Sequence, residues 1–316
     1  MLIPKPRGTL SQTVFELMRS RPDELGAVRG LRPEHHDDEQ ICLWALYELS
    51  YRGFEDADES LEWHPDLVAL RGELESNLET ALRDRFRAAV GEAPAWSAEA
   101  FFDFCANHDG PSLAAFVHRD ADTDQVLDLL RLRSVYHLKE SDPVAWLVPR
   151  LDDATKAALM ELQYDEYGTG NPNLLHAGLF ARGLEACGLS PVYGAYVDDV
   201  PAEILEQNNA MTLFGLNRRL RGAALGHLAA FEVTSSLPSR RIAQGLRRLG
   251  LPEEMAAYYD EHVEADAVHE QLAVRTICGS LLAAEPNLAA DVFLGAFSCL
   301  DLEDRTAHRL LGQWAA

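Results

Sequence analysis

From Met255 to Ile277 apolar residues recur at helical spacing, and three polar ones interrupt the stripe. It runs Met255, Tyr258, Tyr259, then His262, Asp266 and His269, then Leu272, Ala273 and Ile277. At ~100° per residue, offsets of zero, four and seven fall within an arc of about 60°, so two imidazoles and a carboxylate project from one helix face. An apolar stripe faces a core, so this segment requires other helices packed around it. Its polar trio then needs partners, which a divalent cation supplies to several groups at once. The competing reading is a solvated acidic helix, because Asp260, Glu261, Glu264 and Glu270 are neighbours. The eight residues His262 to His269 alone do not choose between the two.

Elsewhere helical periodicity dominates and strand-like alternation is nearly absent, which predicts an all-α protein. Helices are expected near Thr13 to Arg19, over Ile41 to Tyr51 after the acidic start His36-Asp37-Asp38-Glu39-Gln40, and from Pro65 to Val90. Pro94 and Gly110-Pro111 then punctuate the chain. A boundary near residue 95 divides an amino-terminal helical extension (1–95), packed on the core, from the core itself (96–316). The core pattern predicts helices near Asp124 to Lys139, Asp152 to Tyr167, Asn173 to Cys187, Pro201 to Glu206, Thr212 to Ser235, Ser239 to Leu249 and Pro252 to Cys278, with two more to close the chain. Ser141-Asp142-Pro143 and Thr234-Ser235-Ser236-Leu237-Pro238 read as breaks, because the residue before a proline avoids the helical basin. Gly168-Thr169-Gly170-Asn171-Pro172 reads as a turn.

Composition narrows the function classes. No apolar run approaches the ~18–20 residues of a membrane span, and the start MLIPKPRGTLSQ lacks a signal-peptide core, so the expected location is the cytoplasm, with no membrane partner. Cys42, Cys105, Cys187, Cys278 and Cys299 are scattered with no C-x-x-C pair, which argues against a disulfide framework, a zinc ribbon or an iron-sulfur cluster. A net charge of -23 argues against a nucleic-acid partner.

Further ligands for a metal at the polar trio should be polar residues on apolar faces. Glu166 shares a stripe with Leu159 and Leu162, whereas Glu161 and Asp165 read as an ordinary acidic face. His176 precedes Leu179, Phe180 and Gly183, and Glu232 shares its face with Leu225, Leu228 and Ala229. Glu140 lies too close to the Ser141-Asp142-Pro143 break for periodicity to judge it. A lone inward histidine is usually a hydrogen-bonded core residue, but inward glutamates are rarer. Their coincidence suits iron or manganese, and about six ligands suit two metals better than one. A ferritin-like site needs two Glu-x-x-His units, which the chain lacks, and a zincin needs a His-Glu-x-x-His motif that is absent.

At these residues the chain resembles the haem-oxygenase-like diiron oxidases and oxygenases, in particular the actinobacterial iron-containing redox enzymes. The resemblance rests on Tyr136-His137-Leu138-Lys139-Glu140, on Glu161-Leu162-Gln163-Tyr164-Asp165-Glu166-Tyr167-Gly168 followed by His176, on Gly226-His227-Leu228-Ala229-Ala230-Phe231-Glu232, and on His262-x-x-x-Asp266-x-x-His269. It spans roughly residues 110 to 300, and Leu43 to Phe54 looks like the group's extra amino-terminal helices. It implies a haem-oxygenase-like helical bundle and iron ligands at Glu140, Glu166, His176, His262, Asp266 and His269. Glu232 would be a seventh ligand or a nearby base. Tyr259, with Tyr258, lies one turn from His262, in reach of a hydrogen-bonding or electron-donating role, although core packing accounts for both.

The implied activity is dioxygen activation by two ferrous ions, with O2 as co-substrate reduced to the peroxide level. The small-molecule substrate would be an amino acid, amine or acid, and the outcome N-oxygenation, desaturation or carbon-carbon cleavage. This reading leaves room for an external electron donor and a homodimer. The alternative is a non-catalytic or metal-free small-molecule-binding protein of the same fold.

Overall fold

The computed structural model describes the backbone of residues 1–20 and 22–315, and the side chains of these except 20, 22, 23 and 264–268. Among the described residues all regular structure is helical, as the periodicity predicts. The amino-terminal third holds α1 (Thr9–Ser20), α2 (His36–Glu48) and α3 (Pro65–Ala89). Then follow α4 (Ala98–Ala106), α5 (Leu113–Arg119), α6 (Thr123–His137), α7 (Asp142–Ala145), α8 (Asp153–Glu166) and α9 (His176–Ala186). The chain closes with α10 (Ala202–Leu216), α11 (Arg221–Arg248), α12 (Glu253–Gln271), α13 (Gly279–Ala284) and α14 (Ala289–Trp314). A π-helical stretch, Leu272–Cys278, joins α12 to α13 just past His269, a conformation most often met at functional sites. Among the described residues no single helix is long and apolar enough to cross a membrane.

The centre of the bundle is α11, flanked by α5, α12 and α14. It meets α14 backbone to backbone: a Cβ at Gly226 would lie 1.9 Å from the Val292 carbonyl oxygen. Only glycine allows this approach, so Gly226→Ala is expected to lower stability by ~1–3 kcal/mol through overpacking. An unchanged urea midpoint would contradict the close crossing.

Three boundaries differ from expectation: the helix expected over Thr212 to Ser235 is interrupted between Leu216 and Arg221, where Asn217 is extended, and two expected ends are absent. The break at Thr234 to Pro238 is absent, and α11 runs through Pro238. Pro238 removes only the N–H that would bond the Thr234 carbonyl, and α11 continues across that one loss; just before it, Thr234 Oγ1 donates to the Ala230 carbonyl at 2.7 Å and Ser235 Oγ to that of Glu232 at 3.3 Å. Similarly, α10 continues through Gln207-Asn208-Asn209, between the helices expected near Pro201 to Glu206 and from Thr212. These asparagines are buried partners: Asn208 Nδ2 donates to the Ile204 carbonyl, and Asn209 Nδ2 to the Gln40 carbonyl and Oε1, each at 2.9 Å.

The amino-terminal helices join the core through polar contacts as well as apolar ones. From α10, Glu206 is 1% exposed and sits 2.8 Å from Arg85 Nη2 on α3, 3.3 Å from His36 Nε2 on α2 and 3.6 Å from Arg305 Nε on α14. Burial acts to raise its pKa, but the His36 and Arg85 contacts prevail and hold it at about 2, below the ordinary 4.5. A carboxylate depressed on folding stabilises above its unfolded pKa, and that stability is lost as pH falls through the folded value. Stability should therefore decline between pH ~4.5 and ~2 more steeply in the wild type than in Glu206→Gln. Parallel acid-unfolding curves for the two would contradict this.

Candidate metal centre

Glu166 and His176 are brought together by a turn. Helix α8, capped by the Asp152 side chain, ends at Glu166; Gly168 and Gly170 then take φ of 68° and 83°, with Thr169 at 53° between them, and His176 opens α9. A Cβ at Gly168 would lie 2.6 Å from the Leu174 carbonyl carbon, so the tight reversal needs glycine there. As a result His176 Nδ1 lies 3.1 Å from Glu166 Oε2. Glu140 follows α6 in the short turn before α7, whose first turn contains Pro143.

Most of the stripe is buried as its spacing predicts: Met255, Tyr258, Tyr259, His262, His269, Ala273 and Ile277 are all under a tenth exposed, while Leu272 is half-buried. The Asp266 side chain lies outside the described residues. His262 and His269 meet two groups of buried ligands. Glu140, His176 and His262 form one, and Glu166, Glu232 and His269 the other, each with its ligating atoms within 4.8 Å of one another. Glu166 faces both. Its Oε2 is beside His176, while its Oε1 lies 3.9 Å from His269 Nδ1, which is also 3.6 Å from Glu232 Oε2.

Hydrogen bonds set which imidazole nitrogen faces the clusters. His262 Nδ1 donates to the Tyr258 carbonyl at 2.8 Å, which leaves Nε2 as the ligating atom. His269 Nε2 donates to Asp165 Oδ2 at 3.2 Å, which leaves Nδ1. Asp165, on the acidic face of α8, is therefore more than a solvated acid: it orients the imidazole of His269. Ser141 Oγ donates to Glu166 Oε2 at 2.9 Å, and Tyr258 Oη to Glu140 Oε2 at 2.8 Å. Neither contact is visible in helical periodicity.

These residues fit a pair of cations. His176 Nδ1, His269 Nδ1 and Glu140 Oε1 are buried without a hydrogen-bond partner, although carboxylate oxygens or imidazoles surround them. Three inward carboxylates cannot stay ionised together without cations or protons between them. Without a cation, protons take that place. Burial and the neighbouring Glu166 raise Glu140 to about 7 against the pull of His262 and His176. Burial acts against charge on His176 and His269, but Glu166 beside the first and Glu232 beside the second hold both up at about 9. Burial would raise Glu166 too, yet His176 and His262 hold it at about 2.

Six of the residues singled out in the sequence therefore converge: Glu140, Glu166, His176, Glu232, His262 and His269. Glu232 stands within a cluster as a candidate ligand. Tyr259 is buried at 3% exposure with its hydroxyl unpartnered, and it lines a separate cavity, whereas Tyr258 touches Glu140. Beside the clusters is a cavity of about 50 Å³, walled by Leu162, Phe214, Leu228 and Phe231 and touched by Glu140, Glu166, Glu232 and His262. His227, part of a quoted motif but assigned no role, lines it with Nε2 unpartnered, and burial lowers its pKa to about 4.

The amino-terminal helices reach this centre. Lys139 Nζ, next to Glu140 in sequence, lies 3.2 Å from Glu48 Oε2 at the end of α2, and Tyr193 Oη donates to the same oxygen at 2.7 Å. Arg52 Nη2 donates to the Leu138 carbonyl at 3.1 Å.

Comparison with known proteins agrees with this architecture. The signature of a family described as iron-containing redox enzyme matches residues 127–304. A crystal structure of a CadD-like protein of unknown function from Nostoc punctiforme PCC 73102 is 15% identical, with 76% of this chain and 97% of that chain covered at a TM-score of 0.50. A second crystal structure of that Nostoc protein is 14% identical, with 76% and 95% covered at a TM-score of 0.49. No curated protein matches.

Proposed function

The chain belongs to the iron-containing redox enzyme family and has a haem-oxygenase-like all-α fold, and on that premise we propose that it is a non-haem diiron oxidoreductase that activates dioxygen to oxidise a small molecule. The observation that carries this reading is the pair of buried ligand clusters that share Glu166. Glu140, His176 and His262 would hold one iron and Glu232 and His269 the other, with Glu166 between them and Asp266 added by its spacing on α12. Ferrous iron held there supplies the electrons that activate dioxygen.

The chain's own residues prepare the site. Asp165 and the Tyr258 carbonyl accept hydrogen bonds from His269 Nε2 and His262 Nδ1, so His269 Nδ1 and His262 Nε2 are the nitrogens left for the clusters. Tyr258 donates to Glu140 Oε2 and Ser141 to Glu166 Oε2, the oxygen beside His176, which fixes both carboxylates; Glu140 Oε1 keeps no hydrogen-bond partner and Glu166 Oε1 lies 3.9 Å from His269 Nδ1. The apolar walls limit water at the site, and neutral His227 offers the cavity's substrate a hydrogen bond. A substrate with a polar reacting end, such as an amino acid, amine or small acid, matches that lining.

Metal uptake must displace the protons held by His176 and His269 near pKa 9. Ferrous affinity is therefore expected to rise with pH between about 7 and 9, and loading should release protons into a weakly buffered solution. Affinity flat over that range would contradict this.

The activity itself is tested by loading the protein anaerobically with ferrous iron, admitting oxygen and following its uptake against a panel of amino acids, amines and fatty acids. Substrate-dependent uptake that disappears in His176→Ala and His262→Ala is expected. Uptake that survives both substitutions would overturn the proposal.

A further inference from the structure

A second cavity, of about 300 Å³, lies across Phe231 from the first; that ring lines both. It extends from the exposed loop at His108 and Gly110 to His137 and Tyr259, which are 6% and 3% exposed. An apolar cavity of ~150 Å³ takes benzene, so this one takes a substituted single ring. Its walls include Leu113, Ile242 and Leu300.

The polar groups define what such a ring must carry. Tyr258 Oη lies 2.8 Å from Glu140 Oε2 and 2.7 Å from His137 Nδ1, which is itself 3.1 Å from Glu140 Oε2, so that nitrogen is engaged and the buried His137 Nε2 is left with no partner. Tyr259 Oη and Arg133 Nε also lack hydrogen-bond partners. The lining guanidinium is already taken, since Arg133 pairs with Glu303, and His108 Nε2 lies 2.9 Å from Asp304. The lining therefore holds no spare cation for an anion, and its unpartnered polar groups suit a hydroxyl, which both donates and accepts. The geometry points to a second ligand site here, for an uncharged single-ring molecule with a hydroxyl group, held between His137 Nε2 and Tyr259 Oη. This site rests on the second cavity alone and needs no metal.

The test uses the full-length chain, iron-free and iron-loaded, at pH 7, where 4-methylphenol is neutral. Calorimetry is expected to show one 4-methylphenol bound per chain. Toluene and 4-methylbenzoate should each bind about tenfold more weakly, the first for lack of a hydroxyl and the second for its charge. Tyr259→Phe should weaken 4-methylphenol about tenfold while leaving toluene unchanged. Ile242→Trp should abolish binding. Because that bulky change can also impair folding, NMR contacts from the probe's ring protons to the Ile242 and Leu113 methyls are sought in the wild-type chain. Absent binding, preference for the benzoate, or contacts elsewhere would each overturn the assignment.

Discussion

Glu166→Ala is expected to weaken ferrous iron at both clusters at once, by more than 100-fold at each. Its two oxygens face different clusters, Oε2 toward His176 at 3.1 Å and Oε1 toward His269 at 3.9 Å. Loss of a group that merely orients a ligand costs ~10–100-fold in affinity, so loss of a shared ligand costs more. Replacing Ser141 or Asp165, which bond to ligands without joining either cluster, should fall within that smaller range. An anaerobic ferrous titration separates the cases. If Glu166→Ala leaves one site intact at wild-type affinity, the carboxylate is not shared.

A comparably large effect is expected for stability at Lys139 and Glu48. Both side chains are at most 3% exposed, and the ammonium also lies 4.2 Å from the Tyr51 ring centre, 5.5 Å from that of Tyr193 and 5.6 Å from that of Trp44. Burial lowers the Lys139 pKa and Glu48 opposes it, so each charge depends on the other. Lys139→Met or Glu48→Leu alone strands a buried charge and should cost ~3–5 kcal/mol. The double substitution removes both charges and should cost much less, since apolar replacement of a buried pair is often close to neutral. Chemical denaturation of the three variants checks this. Single variants within ~1 kcal/mol of the wild type would contradict it, because a stranded buried charge cannot be that cheap.

Helical spacing made the α12 stripe legible, because burial of a stripe follows from its period. The same logic placed Glu166 inward with Leu159 and Leu162. Spacing says which face a residue occupies and not what it meets across the bundle. Spacing alone thus leaves Glu232 open between ligand and base, and its 3.6 Å approach to His269 depends on packing across the bundle. Tyr258 and Tyr259 are both inward, and only packing shows that the first reaches Glu140 while the second lines the other cavity. Asp165 illustrates the opposite error: its side chain is 48% exposed, as an acidic face should be, yet it reaches across to His269. The usable signal there was chemical, since a metal-bound imidazole needs an acceptor for its other nitrogen. The α10 asparagines continue their helix because tertiary hydrogen bonds override local breaking preferences.

The central claim is that the two buried clusters hold an iron pair. Its most direct test is anaerobic loading with ferrous iron followed by desalting, metal analysis and Mössbauer spectroscopy. Two irons per chain are expected in the wild type, one for each cluster, with one lost in His176→Ala and the other in His269→Ala. Wild-type protein that retains no iron, or one iron unaffected by either substitution, would contradict the account.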